Sequence, residues 1–372
     1  MLSTCLHLRE EKNLLRGQSK EPVDLQTLKK SSTYGDFASK LDSGLNGEKE
    51  NQLYKELRAY FKSNQEKGGK MICKNETYDV NVLSPSQTDI GLIDSLAYVI
   101  MPIKDDEKYT NYFDEEPKEV GSRIITYNGK WVVDGHHRWS QLYMVNPEGK
   151  IKAFNCEYYV GKNKVILDIM EVLKIFQAAI GAIAGKIGKT EAGNNIYALT
   201  EDEIAKEVNS LLEKIIVEKK ITLKKGGEEK IINNDKLKEK IKFFVEEFNK
   251  KVDKIKQSSK KDKGKDKNKT EAQKKEEKEI PKIFESKLSI GKTDDDIKEA
   301  LATQLIKSVN HFVSYTKSRR PSKASDRVLM PQTDFPISCK DCQSVTDPIS
   351  GEDAKKPDAV INLLKNSSPK MK

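Results

Sequence analysis

The sequence predicts an α+β fold: a small mixed sheet with one or two helices, then an amphipathic helical extension and a lysine-rich linker. Three observations predict it. Short β-rich runs bounded by turn residues crowd into residues 71–160. From Val165 the apolar spacing changes to that of helices and stays there. Residues 250–279 then hold 13 lysines against 7 acidic residues, a composition with too little apolar surface to fold by itself.

In chain order, residues 1–66 form an N-terminal segment with one helix, and residues 1–47 show little periodicity and are expected to be mixed or loose. Leu53, Leu57, Tyr60 and Phe61 mark the helix, over Glu48 to Asn64. Lys67-Gly68-Gly69-Lys70 lacks the spacing of a phosphate loop and reads as a linker. The core spans 67–162. In it Tyr78, Val80 and Val82 alternate as in a half-buried strand. Ile90 to Met101 reads as a buried helix or irregular segment, and 104–119 as an acidic loop. Arg123 to Tyr127 and Trp131 to Val133 flank Asn128-Gly129, the pair favoured where both turn positions need positive φ, so a hairpin is expected. Trp139, Leu142 and Tyr143 then share one helix face, Asn146-Pro147-Glu148-Gly149 turns the chain, and Ile151 to Val160 closes the core as a strand with Cys156 inside.

The helical domain spans 163–256. Val165, Ile169, Val172, Phe176, Ile180 and Ile183 line its first helix; a capping box at Thr200 to Glu203 opens the second; Leu237 to Val252 carries the third, after a possible hairpin at 221–232. A disordered lysine-rich linker, 257–281, leads to a C-terminal helix within 282–320. That helix has Asp294, Asp295 and Asp296 at its positive end and His311 in a structural position. The tail is 321–372; its Cys339 and Cys342 lack the partners a zinc site needs.

One stretch concentrates chemistry. Asp134-Gly135-His136-His137-Arg138 joins the second hairpin strand to a helix, and it holds two of the chain's four histidines. Gly135 permits a tight turn and close approach of a ligand to the main chain. The first amides of the helix, two imidazoles and a guanidinium make the corner a candidate anion site, with phosphate the favoured anion. Asp134, His136 and His137 are the candidate catalytic groups, and Asp134 is expected to cap the helix or help hold a metal. The acidic loop, with Asp105, Asp106, Glu107, Asp114, Glu115, Glu116 and Glu119, is the nearest source of a general base or Mg²⁺ ligand. The polar loop from Gly185 to Tyr197 could close over the site. The bland alternative is an ordinary turn with a solvated polar face.

This box after a short strand resembles the ParB/sulfiredoxin superfamily, in the form found in ParB-like nucleases and ATPases and free-serine kinases. Val82-Leu83-Ser84-Pro85-Ser86-Gln87-Thr88-Asp89 resembles the family's first box, and the resemblance covers about residues 75–162. It implies that Gln87, Gly135, His136, His137 and Arg138 bind nucleotide phosphate, with ATP or CTP and Mg²⁺ as cofactors. His136 stands where sulfiredoxins carry their cysteine, which excludes peroxiredoxin repair, and the two-arginine box of CTP-gated partition clamps is absent. The lysine- and asparagine-rich style also resembles proteins of large tailed phages.

Composition narrows the partners. The chain is 36% apolar and 34% charged, with net charge +9, and residues 250–279 carry +6 of that surplus (13 − 7). A lysine-rich tether of this kind binds nucleic acid weakly and without sequence preference, while the folded parts stay near neutral. No run of about 18 apolar residues exists, so no membrane span is expected, and Met1 to Arg9 lacks the apolar core of a signal peptide. Five scattered cysteines fit a reducing compartment better than a disulfide framework, so the cytoplasm is expected (the host's, if the protein is viral). The helical stripes could also support a homo-oligomer. The expected function is therefore a nucleotide-binding, NTP-dependent hydrolase or phosphotransferase linked to DNA transactions. Its alternatives are a ParB-like DNA-binding or nuclease protein without nucleotide turnover, and a non-catalytic structural or interaction protein of a phage.

Overall fold

The computed structural model describes residues 23–45, 51–63, 69–87, 90–100, 109–120, 123–185, 199–218, 220–222, 229–231, 234–258, 283–289, 291, 293–319, 345–346, 353–354, 358–366 and 371. Within them the protein is a mixed α+β structure centred on a six-stranded sheet. Its strands are β1 (Lys70–Asp79), β2 (Ser84–Pro85), β3 (Ile124–Tyr127), β4 (Trp131–Asp134), β5 (Lys150–Val160) and β6 (Asn163–Lys164). They run in the order β1-β5-β3-β4-β2, with β6 on β5. β1 is antiparallel to β5, β5 parallel to β3, β3 antiparallel to β4 and β4 parallel to β2.

Both faces of the sheet are covered. Beneath one lie α1 (Leu25–Lys29), α2 (Tyr34–Leu45), α3 (Gln52–Ser63) and α6 (Ile169–Ala184), against Met71, Cys73, Ile125, Tyr127, Val133, Cys156 and Tyr158. Over the other lie α4 (Leu92–Ile100), α5 (His136–Val145), α7 (Glu201–Leu212), α8 (Asn234–Ser258) and α9 (Asp294–Lys317), against Val80, Leu83, Ile124, Val132, Ile151 and Ala153. Adjacent residues such as Ile124 and Ile125, or Val132 and Val133, therefore serve opposite cores, as the two-residue period of a strand requires. The region 163–256 divides between the faces: α6 joins the N-terminal helices, while α7 and α8 join α9. α6 is buried along nearly its whole length, so it is a central core helix.

Several expectations are met. Asn128 and Gly129 have φ of 54° and 62°, and the Lys130 amide donates to Tyr127 at 3.1 Å, closing a two-residue hairpin turn. Thr200 and Glu203 form the expected reciprocal capping box; a second one, Thr293 with Asp296, opens the C-terminal helix beside its expected acidic residues. Within the expected hairpin region, β7 (Lys220–Thr222) pairs antiparallel with β8 (Glu229–Ile231).

Others are corrected. Residues 23–45 are not loose: α1 and α2 bury Leu28, Phe37, Leu41 and Leu45 completely. The first core strand is β1, and it ends at Asp79. Val80–Val82 is a 3₁₀ turn that leaves Val82 45% exposed, because the Val80 carbonyl accepts from Leu83 N–H and from Trp139 Nε1 instead of extending a ladder. The tail contains α10 (Asp358–Asn366), which packs on β1 and α6 and buries Ala359, Val360, Leu363 and Leu364. Cys156 is bonded to Cys73, directly opposite it on β1 and 83 positions away in the chain. The step from cysteine count to a reducing compartment loses its footing there. No described helix is long and apolar enough to cross a membrane. Residues 257 and 258, expected to begin the linker, are the end of α8; the rest of the linker (259–281), the loop at 186–198 and Cys339 with Cys342 lie outside the described residues.

Candidate functional site

The sheet brings the two sequence boxes together. β2 and β4 run parallel, Ser84 beside Trp131 and Pro85 beside Val132, so both strands end at the same side of the sheet. Ser86-Gln87 leaves β2 there, and α5 leaves β4 there. Both Ser86 and Gln87 are buried.

Gly135 makes the β4–α5 corner possible. Its φ is 88°, in the left-handed region closed to most side chains, and an added Cβ would lie 2.6 Å from Ile124 Cγ2 and 3.0 Å from an Arg138 guanidinium nitrogen. Helix α5 starts at His136 with Gly135 as its N-cap, and no side chain caps it. Asp134 was expected to cap and does not. It pairs instead with Arg138, Nη2 to Oδ2 at 2.9 Å, one helical turn on. The other arm of the guanidinium, Nη1, donates to the Arg123 carbonyl at 3.2 Å, so the group is held both by the end of β4 and by the residue ahead of β3.

The histidines fasten the first box to the second. His136 Nε2 accepts from the Ser86 amide at 3.1 Å, across 50 positions of chain. The Ser86 hydroxyl, 3.3 Å from the same nitrogen, gives its proton to the Val132 carbonyl at 2.6 Å. Nε2 therefore acts as the acceptor in this bond. His137 Nε2 likewise accepts from the Gly91 amide at 2.9 Å, ahead of α4. Two further bonds continue the seam: Ser95 Oγ and Ser140 Oγ are bonded at 3.1 Å, the Ser140 proton going to the His137 carbonyl at 3.0 Å, and Trp139 Nε1 donates to the Val80 carbonyl at 2.9 Å. As general bases through Nε2, His136 and His137 would have to release these amides. Ser86 is the residue that sequence reasoning passed over. Its signal was its place between Pro85 and Gln87, where a small hydroxyl residue can turn inward.

The acidic loop pairs largely with itself and with the helical layer. Asp114 bonds Lys118, and Glu115 lies 3.8 Å from Lys254. Glu119 lies 3.5 Å from Arg123, whose carbonyl holds Arg138, so it is the described acid of the loop whose partner reaches the corner. Asp105, Asp106 and Glu107 lie outside the described residues. Among the described residues no group of three or more His, Cys, Asp or Glu side chains is gathered to hold a metal ion. A cleft of about 500 Å³ between residues 283–291 and α9, lined by Lys287, Asp296, Glu299 and Lys307 among others, shares no residue with this corner.

The corner can present the positive end of a helix, a fixed guanidinium and a buried polar turn to one ligand. Comparison with known proteins adds no name to this geometry: no family model, no curated protein and no solved structure matches the chain.

Proposed function

We propose that the protein binds a nucleoside triphosphate through its phosphates at the corner of Ser86-Gln87 and α5. In this reading it is a ParB/sulfiredoxin-like protein acting in Mg²⁺-dependent phosphoryl transfer or hydrolysis linked to DNA. One observation carries the proposal: two polar boxes far apart in sequence meet through the Ser86–His136 bond, where a left-handed glycine opens a helix. Arg138, oriented by Asp134 and the Arg123 carbonyl, is the phosphate-facing cation. His136 and His137 position the two boxes, and the amides of the first helical turn supply directed donors.

The test is a thermal-shift panel of ATP, CTP and GTP with and without Mg²⁺, beside short duplex DNA. A ligand present at a hundred times its Kd adds about 2.7 kcal/mol to the folded state, which shifts the melting temperature by several degrees. Arg138→Ala is expected to abolish that shift while costing about 1 kcal/mol or less of stability, since its ion pair is partly solvated. DNA binding with a steep salt dependence, and no nucleotide effect, would replace this reading with the nucleic-acid one.

A second reading has its own support. Both Nε2 atoms accept main-chain amides and Asp134 is paired with Arg138, so each of these side chains already has work inside the fold. A corner that is only a structural joint would show neither a nucleotide shift nor a DNA shift.

A further inference from the structure

The sheet has unlike edges. On one side lies β2, two residues long; on the other lies β1, ten residues from Lys70 to Asp79, paired on one flank with β5 and with no described strand on the other. Antiparallel residues alternate between those that exchange main-chain bonds with the partner and those that turn both groups away from it. The Cα atoms of Cys73 and Cys156 are 4.0 Å apart, the close spacing of a pair that exchanges none. Two bonds agree. The Cys156 carbonyl accepts from Asn128 on its β3 side, and Val80 N–H donates to Gly149, which fixes even positions as inward. Met71, Cys73, Asn75, Thr77 and Asp79 therefore direct N–H and C=O off the sheet. Lys74, Asn75, Thr77 and Asp79 are exposed.

We propose that this edge pairs antiparallel with the same edge of a second copy of the chain, about a two-fold axis through Asn75. The charges choose the register. Outward groups also meet if the axis passes through Lys74 or Glu76, but then Lys74 faces Lys74 or Glu76 faces Glu76, and like charges directly opposite repel. With the axis at Asn75, Lys74 of each copy faces Glu76 of the other, twice over, and Ile72 faces Tyr78. Side chains at such non-bonded pairs approach closely. Asn75 would pair with itself, and Cys73 with Thr77. Of the registers centred within Lys74-Asn75-Glu76, the one at Asn75 alone sets unlike charges directly opposite. Within their own sheet, Glu76 accepts from the Tyr78 hydroxyl and Lys74 lies near Glu157.

Sedimentation of the full chain from low micromolar to several hundred micromolar tests this. The wild type is expected to dimerise within that range. Lys74→Glu and Glu76→Lys should each weaken the dimer about tenfold or more, through two repulsive contacts, and the double exchange Lys74→Glu with Glu76→Lys should restore it. Asn75→Pro removes an outward N–H that β1 does not use toward β5, so it should abolish the dimer while circular dichroism stays unchanged. If Asn75→Pro fails to fold, the charge series decides alone. A monomer throughout the range overturns the proposal. So does a dimer that ignores both single charge reversals, since that would place the contact on another surface such as the helical layers.

Discussion

The β1–β5 half of the sheet and the β4–β2 half flank β3 and are held by different kinds of bond. β1 and β5 share a register ten residues long, from Lys70 opposite Tyr159 to Asp79 opposite Lys150, with Cys73 and Cys156 joined within it. β2 meets β4 over two residues only. That half is held by side chains reaching to the main chain: His136 to Ser86, His137 to Gly91, Trp139 to Val80 and Ser86 to Val132. A ladder is redundant, because each bond is backed by its neighbours. A set of side-chain pins is not, and losing one frees a particular segment. The candidate site sits on the pinned half, where small changes in position are least costly.

The comparison breaks first at the disulfide. Replacing Cys73 and Cys156 by serine frees a loop 83 residues long in the unfolded chain, and is expected to cost about 2–5 kcal/mol. Urea unfolding should show the loss as a lower midpoint shared by all probes, because the whole frame is involved. An unchanged midpoint would mean that the ladder alone carries that half.

His136→Ala should come next, at about 2–3 kcal/mol, from an unpaired buried amide at Ser86 and the space left behind. Its signature differs in kind. Hydrogen exchange should accelerate at Ser86 and the start of α5 while β1 and β5 keep their protection. His136→Gln, which can still present an acceptor, should recover part of the loss. His137→Ala, at the half-buried Gly91 contact, should cost about 1 kcal/mol. Uniform acceleration across the sheet in His136→Ala would erase the distinction between the halves.

The same division explains what was legible in the sequence. Local signals were readable: the Asn128-Gly129 turn, the capping box at Thr200 and the acidic start at Asp294 to Asp296 each depend on neighbours a few positions away. The position of the α5 start followed from Gly135, whose φ no bulky residue shares. Partners distant in the chain were not readable. Cys73 and Cys156 look like two scattered cysteines until a register sets them opposite. Ser86 looks like turn filler until His136 reaches it. β1 was mistimed because its middle, Lys74 to Thr77, is polar at an open edge, so the visible alternation began at Tyr78, where the strand is ending. Asp134 was read as a cap because its position suits one, but Arg138 one turn later offers a full opposite charge.

The smallest expected effect tests whether the frame half also uses a side-chain pin. On β5, Glu157 accepts from Lys164 of β6, and this bond, helped by the Tyr159 hydroxyl, holds its carboxyl below the usual glutamate range. Because the folded value is depressed, the stability it contributes is complete above the ordinary glutamate value of about 4.3. That stability is lost as pH falls through the folded value. Lys164 is raised by the same bond, so its share persists below the ordinary lysine range of about 10.4 and is lost as pH rises through its folded value. Glu157→Gln should therefore destabilise at neutral pH by a small amount that vanishes in acid, where the wild-type carboxylate is itself protonated. The amount is small because Lys164 is 40% exposed and water screens the pair. Urea midpoints of the two proteins, measured from neutral pH down to about 3, should converge; curves that run parallel throughout would mean that β6 is tied to β5 by its main chain alone and that the two halves differ as sharply as the rest of the sheet suggests.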